Sequence, residues 1–505
     1  MLIDLNPARH EPLYVQICDQ IRQSIRAGAL RPGERLEPSR ELARRLGVHR
    51  TTVGNAYASL EAEGLIHGAV GRGTFVRQPL PASFTPAAAP PGPVRDFFWD
   101  TFLSQEAQDD TFSRLVAAAG GPGVISFAVT HGAEELAPVE PVRRAMDAVL
   151  RREGAQLLQY GPSDGYPPFK EFVREQLQRD GINAAEDEIL ITSGCQQSLD
   201  LIRRTLTAPG DVVACENPTY PGLWNLFDSS GARLIGIPAG PAGMDLCYLA
   251  GVLEQNRVKL IVTTPSFQNP TGATQPLEAR QQLLQLAARH QAAIVEDDIY
   301  GALRFSGAAT PSLRALDQAG RVIYLNSFSK TGFPGLRVGW IAAERRVVER
   351  LRWAKQRSDV HTNLLGQAVL VELGRRGWLD KLLRQTRKLY AHRQQVLRQA
   401  MQRHFPPQAQ CSFPPGGMAV WVEMPEGTDT TALLERARER GLTFAPSSYF
   451  YFQNARHNAL RLCYSPLDDS QIEKGARILG GLLREEIGRA QRFAARKPAS
   501  AMAMM

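Results

Sequence analysis

Apolar residues near the start of the chain recur every fourth position. Leu13, Ile17, Ile21 and Ile25 form one stripe, which predicts a helix over 12–27. Ser39 is the expected N-cap of a short second helix with Leu42 and Leu46 facing inward, and Gly47-Val48 supplies the turn. A third helix from His49 carries Val53, Ala56, Tyr57 and Leu60 at i, i+3, i+4 and i+7. LIHGAVGRGTFV then reads as two short strands around a Gly-rich tip. Three helices and a β-ribbon make a winged helix-turn-helix, whose third helix can enter a major groove.

Beyond this the pattern changes. EILITSG (188–194), DVVACENP (211–218), KLIVTTPSFQNP (259–270), AAIVEDDIY (292–300) and RVIYLNSFSK (321–330) read as buried strands ending in polar residues. Helical stretches such as 276–291 separate them. Continuous apolar strands alternating with helices predict a mostly parallel sheet covered on both faces. The ligand site of such a sheet lies at the carboxyl ends of its strands. After about 375 come long Arg/Gln-rich helices, then a smaller α+β segment with GGMAVWVEM and ALRLCYS.

At 505 residues the chain exceeds one hydrophobic core. The expected division is a folded unit at 1–77, a Pro/Ala-rich linker at 78–109, a second unit at 110–485 and a flexible tail at 486–505. Residues 78–95, QPLPASFTPAAAPPGPVR, hold six prolines and no acid, which disfavours helix and core. The cluster Phe97, Phe98, Trp99 and Phe102 reads as a segment docking onto the second unit. No apolar run of 18 residues exists, and the first residues have an acid and no apolar h-region, so neither a membrane span nor a signal peptide is expected. Six scattered cysteines without a Cys-x-x-Cys pair fit reduced thiols in a cytoplasm, and no metal is assigned. The net charge of +8 permits an anionic partner such as DNA and carries weight only where placed on a motif.

The sharpest chemistry lies in Ser327-Phe-Ser329-Lys330-Thr-Gly-Phe-Pro-Gly-Leu-Arg337. A lysine amine forms a Schiff base with an aldehyde cofactor once burial and neighbouring cations lower its pKa. Ser327 and Ser329 offer hydroxyls to a phosphate, and Arg337 the opposing charge. Asp297, in EDDIY, suits a pyridine nitrogen, and Tyr300 and Asn269 suit the ring's 3′-oxygen. SGCQQ places the backbone N–H groups of Cys195 and Gln196 at a helix start, where phosphate binds, and Tyr220 offers an aromatic face to the ring. Each has a bland explanation alone: turn chemistry for the NPTG around Asn269, a helix cap for Asp297, simple packing for Cys195. Their joint order and spacing point to pyridoxal 5′-phosphate.

Residues 11–76 resemble the GntR family of regulators through PLYVQICDQIRQSIRAGALRPGERL, SRELARRLGVHRTTVGNAYASLEAEGLI and GRGTFV. The resemblance implies that Arg40, His49, Arg50, Thr51 and Thr52 face double-stranded DNA, with Arg72 on the wing. With eleven arginines, no lysine and eight acids in 1–77, specificity rests on placement rather than bulk charge. Two departures bear on operator preference: Glu37-Pro38 stands where the family has Pro-Ser, and Gly54 lies inside the recognition helix. Residues from about 120 to 485 resemble fold-type I aminotransferases of class I/II, with a mostly parallel-sheet large domain and a small C-terminal α+β domain. That resemblance implies that Arg461 clamps a substrate or effector carboxylate and that Tyr160 reaches the cofactor phosphate of a neighbouring subunit.

The whole arrangement resembles the MocR/GabR family of bacterial regulators. It implies a head-to-tail homodimer whose DNA binding responds to a small amino compound, or to the cofactor itself. The alternative is a working aminotransferase with an accessory DNA-binding module. A purely structural fusion would leave an intact cofactor constellation without a use.

Overall fold

The computed structural model describes residues 3–6, 11–69, 73–77, 121 and 123–496, together with Ser113 and Ala117; for 490–496 it describes the backbone alone. Two compact units result, divided after Leu103. The division falls inside the expected linker, which lies outside the described residues, as do Phe97, Phe98, Trp99 and Phe102.

The first unit holds α1 (Leu13–Arg26), α2 (Ser39–Leu46) and α3 (Arg50–Ala62), then β1 (Ile66–Ala69) and β2 (Gly73–Val76). Its core joins Ile17 and Ile21 of α1, Leu42 of α2, and Val53, Ala56 and Leu60 of α3 to Ile66 and Val76 of the ribbon. The two strands pair antiparallel, with Ile66 opposite Val76. One local expectation is corrected. Pro38, its φ held at −55° by its ring, is the N-cap of α2, and Ser39 is the first helical residue with no capping side chain at that end. Gly47, at φ 65°, ends α2.

The second unit is built on an eight-stranded sheet. Its strands are β4 (Ile189–Thr192), β5 (Val212–Asn217), β6 (Arg233–Gly240), β7 (Gly243–Met244), β8 (Val258–Thr263), β9 (Ala293–Asp297), β10 (Val322–Ser327) and β11 (Gly339–Ala342), and β3 (Ile125–Ser126) lies apart from them. Their order is β4-β11-β10-β9-β8-β5-β6-β7. The five strands anticipated from their apolar runs are β4, β5, β8, β9 and β10, and the four central pairings from β10 to β6 are parallel. The short strands β7 and β11 enter antiparallel and make the sheet mixed.

The small domain carries β12 (Gln410–Cys411), β13 (Ala419–Glu423), β15 (Ala445–Pro446) and β16 (Ala459–Cys463) in one antiparallel sheet. β14 (Leu442–Thr443) pairs with β3 and ties the start of this unit to the small domain. The helices Trp378–His404 and Asp469–Arg496 cover the sheet through Leu397, Met401, Ile472, Leu479 and Leu483. The last helix runs on to Arg496, so the tail expected from 486 is helical to that point. Its apolar face, with Leu482, Leu483 and Ile487 buried, extends the helix past the point where sequence polarity suggested an end. Among the described residues no helix is long and apolar enough to cross a membrane.

Candidate cofactor site and DNA-binding face

The strand ends of the large sheet converge on Lys330, three residues beyond β10. Its Nζ donates to the backbone oxygen of Thr130 at 2.9 Å and to the Thr130 Oγ1 at 3.0 Å. Removal from water lowers its pKa to about 8, and the nearby Arg461 cation acts in the same direction. At that value a useful fraction of the amine is neutral near pH 7, as attack on an aldehyde requires.

Asp297 ends β9 and is buried. Burial pushes its carboxyl up to about 6 against the pull of one backbone N–H, that of Ile299, at 3.3 Å from Oδ1. The Cys195 thiol, itself raised by burial, lies in hydrogen-bonding reach of Asp297 and Ser327. A carboxylate so placed lacks a strong donor, and a protonated pyridine N–H is such a donor. Tyr300 is buried close by, which raises its phenol, and it also bonds Thr130. Tyr220 is pushed up to about 12 by burial first and by the Asp297 charge second.

The phosphate end is made by Ser193–Gln196, Ser327, Ser329 and Arg337. Gly194, at φ 95°, opens the helix Cys195–Leu206. A Cβ there would lie 2.8 Å from Arg337 Nη2, so only glycine lets that guanidinium lie against the helix start. Arg337 Nη2 donates to the Ser193 carbonyl at 2.9 Å, and Nη1 to Ser329 Oγ at 3.4 Å. Ser329 N donates to Ser327 Oγ at 3.3 Å. Gln196 is exposed, and its Nε2 donates to the Gly222 carbonyl at 3.1 Å, linking the helix start to the Tyr220 loop. A guanidinium, two hydroxyls and the N-terminus of a helix form a donor set suited to a phosphate dianion. Ring end and phosphate end together fit pyridoxal phosphate.

From the small domain, β16 brings Arg461 to the same place, 2 % exposed. Its Nη1 donates to Asn269 Oδ1 at 2.7 Å, its Nη2 to the Ala128 carbonyl, and its guanidinium lies 4.9 Å from the Phe450 ring centre. The Nε has no hydrogen-bond partner. A buried guanidinium held only by neutral oxygens has charge left for a carboxylate. Thus Lys330, Asp297, Tyr300, Tyr220, Asn269, Cys195, Ser327, Ser329, Arg337 and Arg461 come together. Tyr160 does not join them: it is 87 % exposed, edge-on to His361 with ring centres 5.9 Å apart. Sequence reasoning missed Thr130, whose stretch FAVTHG has no motif spacing, and Phe450, an aromatic among several in a loop.

On the first unit, Arg40, His49, Arg50 and Thr51 are exposed and Thr52 is half-buried, on or beside the exposed side of the α2–turn–α3 element. His49 caps α3: its Nδ1 accepts from Thr51 N at 3.4 Å and lies 2.8 Å from Thr51 Oγ1. The Tyr57 hydroxyl donates to the Glu37 carbonyl at 2.7 Å, packing α3 on the start of α2. Arg72 lies outside the described residues.

A lysine at the strand ends of a mixed α/β sheet, facing a buried aspartate and a phosphate cradle, defines a pyridoxal-phosphate-binding aminotransferase fold. Residues 129–479 match the family described as aminotransferase class I and II, and residues 13–76 the bacterial regulatory proteins of the gntR family. The chain belongs to the aminotransferase class I and II family and, with its gntR-family head, to the MocR type of regulators within it. It is 39% identical to a 2-aminoadipate transaminase of Thermus thermophilus over 75% of this chain and 94% of that one. It is 32% identical to the HTH-type transcriptional regulator TauR of Rhodobacter capsulatus over 95% of this chain and 98% of that one. Among solved structures, the alpha-aminoadipate aminotransferase LysN of Thermus thermophilus, complexed with a phosphopyridoxyl-leucine, superposes with a TM-score of 0.73 at 37% identity, covering 78% of this chain and all of that one. The transaminase matches the second unit's share of the chain, whereas the regulator matches nearly its whole length.

Proposed function

We propose that the protein binds operator DNA through α3 and its wing, and that a small amino compound, or pyridoxal phosphate itself, at the Lys330 site alters that binding. The observation that carries the reading is the presence in one chain of a winged helix with exposed Arg40, Arg50 and Thr51 and a constellation of half-buried Lys330 with buried Asp297 and Arg461.

Bound pyridoxal phosphate supplies an aldehyde that condenses with amines and a ring that withdraws electrons. The protein's own groups do the rest. Lys330 would anchor the cofactor through its amine, and Thr130 accepts the proton-bearing Nζ when the lysine is charged. Asp297 would hold a proton on the pyridine nitrogen, and Tyr300 with Asn269 would donate to the ring oxygen. Ser327, Ser329, Arg337 and the N–H groups of Cys195 and Gln196 would hold the phosphate. Tyr220 would lie against the ring. Arg461 would take the carboxylate of the amino compound, exchanging neutral oxygens for a charged partner.

An effector that binds two arrangements of the protein unequally shifts their populations by that difference in affinity. The second copy expected of this arrangement would meet the exposed Val139, Leu158 and Tyr160, which are 74 %, 70 % and 87 % exposed. Exposed large apolar side chains of this kind support an interface there. Tyr160 would then reach the partner's phosphate site in a head-to-tail dimer, and Arg72 would add a wing contact to DNA. A reduced, cytoplasmic setting fits the unpaired cysteines.

A footprint on the DNA upstream of the gene, with and without pyridoxal phosphate and candidate amino acids, tests the reading. A footprint whose extent or affinity changes with either ligand supports it. A footprint indifferent to both rejects ligand control. The intact Lys330, Asp297, Tyr300 and Arg461 also favour a second reading, a transaminase that happens to carry a DNA-binding head. Sustained turnover of an amino donor with a keto acid, rather than a single half-reaction, would support that reading instead.

A further inference from the structure

A cavity of about 650 Å³ opens where the segment after Asn269, Thr271–Pro276, faces the small-domain segment Gln410–Pro415. That volume lies within the span of small-molecule sites, roughly 300–1,000 Å³. Its walls are joined across the seam. Ser412 Oγ donates to the Thr271 carbonyl at 3.2 Å and accepts from Trp421 N at 3.0 Å.

Phe413, Pro414 and Trp421 give the cavity an apolar face, and Arg304 gives it a cation. The Arg304 guanidinium lies 4.9 Å from the Phe267 ring centre, and its Nη1 donates only to the Ser306 carbonyl, at 3.4 Å. Among the described residues no carboxylate comes within ion-pair distance of it. The acid on the opposite wall, Glu423, is engaged otherwise: its Oε1 accepts from Trp421 Nε1 at 3.1 Å. A half-buried guanidinium with no counter-ion, set beside aromatic and proline surfaces, is a receptor for an organic anion.

The cavity adjoins the Lys330 site without being part of it. Phe267, under the Arg304 guanidinium, also lines the small pocket formed by Asn269, Tyr300 and Arg461, and it is held at φ 54°, a left-handed conformation costly for a phenylalanine. Trp421 stands directly opposite Arg461 in the β13–β16 pairing, and both meet the Phe450 ring, at 6.2 Å and 4.9 Å. Ligand against Trp421 therefore touches a residue that faces Arg461 across the β13–β16 pairing.

We propose that this cavity is a second ligand site, separate from the one around Lys330, for a small organic carboxylate with a planar apolar body. Its carboxylate is held by Arg304 and its body lies against Trp421 and Phe413. The proposal concerns binding by the cofactor-loaded chain alone and does not depend on the DNA reading.

Calorimetric titration of the full-length, pyridoxal-phosphate-loaded protein with indoleacetate and with uncharged indoleacetamide tests it. Indoleacetate is expected to bind about tenfold or more tightly than the amide, and Arg304→Gln to remove that difference. Arg461→Lys, which disables the carboxylate clamp of the other site, is expected to keep the preference for indoleacetate over indoleacetamide, because Arg304 supplies the charge that reads the carboxylate. If Arg304→Gln fails to retain the cofactor absorbance, Thr310→Phe, which fills the cavity from its wall, replaces it and is expected to abolish binding. Loss of binding in Arg461→Lys with retention in Arg304→Gln or Thr310→Phe would put the ligand at Lys330 and overturn the proposal. Absence of heat up to about 10 mM indoleacetate, benzoate and cyclohexanecarboxylate would overturn it as well.

Discussion

Lys330 is held by Thr130, a residue 200 positions earlier in the chain, through both its backbone oxygen at 2.9 Å and its side-chain oxygen at 3.0 Å. Both contacts are to acceptors, so both favour the charged lysine. They oppose the desolvation that brings its pKa down to about 8. The residue that captures the cofactor is thus held between desolvation, which disfavours its charge, and acceptor oxygens of Thr130, which favour it.

Replacing Thr130 by Val deletes one acceptor while keeping the shape and the backbone contact. The charged form of Lys330 loses support, so its pKa falls below 8. More neutral amine is then available at pH 7, and pyridoxal phosphate should be captured faster, by up to about tenfold if the lost bond is of the charged kind. The pH dependence of the capture rate in cofactor-free protein checks this. An unchanged profile would mean that the hydroxyl does not support the ammonium.

Asp297 gives the opposite trade between stability and function. Its folded pKa, about 6, stands above the ordinary 3.8, so the cofactor-free native state binds more protons than the unfolded chain between those values. Stability of cofactor-free protein therefore falls as pH rises from about 4 to 6 and stays lower at pH 7. Asp297→Asn removes the unpaired buried charge. It should stabilise cofactor-free protein at pH 7 by about 2–3 kcal/mol and leave it nearly unchanged at pH 4. The same change should weaken cofactor binding, because the strong partner for the ring nitrogen is gone. Thermal melts of both proteins at the two pH values, with and without pyridoxal phosphate, give both halves of the test.

Much of this site was legible because its residues sit at strand ends and in short turns, where chemistry and local structure coincide. Lys330, Asp297, Asn269 and Cys195 each follow a buried apolar run that reads as a strand, and the parallel sheet brings such ends together. Thr130 was not legible: it stands outside any strand or helix, and its segment is fixed by long-range contacts, the pairing of β3 with β14 and hydrogen bonds from Arg461, Cys463 and Ser465. β6 and β11 were missed for related reasons. RLIGIPAG is interrupted by Gly and Pro, and GWIA is too short to carry a period. The N-cap of α2 was misplaced by one residue because Ser at a helix start is usually the cap, while here the Pro38 ring sets the entry angle.

On the head, Arg50 opens α3 and is exposed beside the exposed His49 and Thr51. If it contacts a phosphate, Arg50→Ala should weaken binding to all sequences alike and reduce the slope of log affinity against log salt by about 1. If it reads a base, the loss should be about 1–3 kcal/mol and confined to the operator. Titrations of operator and scrambled DNA at several salt concentrations distinguish these. An Arg50→Ala protein that binds both DNAs as the wild type does would remove Arg50 from the interface.

Gly54 offers a test in which folding and DNA binding pull apart. It lies in the middle of α3 and is exposed, and a Cβ built there meets nothing within 4 Å. Inside the free protein Gly54→Ala is therefore a gain: about 1 kcal/mol from helix propensity and a less flexible unfolded chain, with no clash to offset it. A glycine where alanine would fold better leaves room for a close approach to the helix on that side. If α3 enters the groove along the face that carries Gly54, the added methyl should lower operator affinity although the head melts at a higher temperature. Measuring both on the full-length protein decides the matter. A variant that is more stable and binds the operator at least as tightly would turn the face of α3 that carries Gly54 away from the DNA.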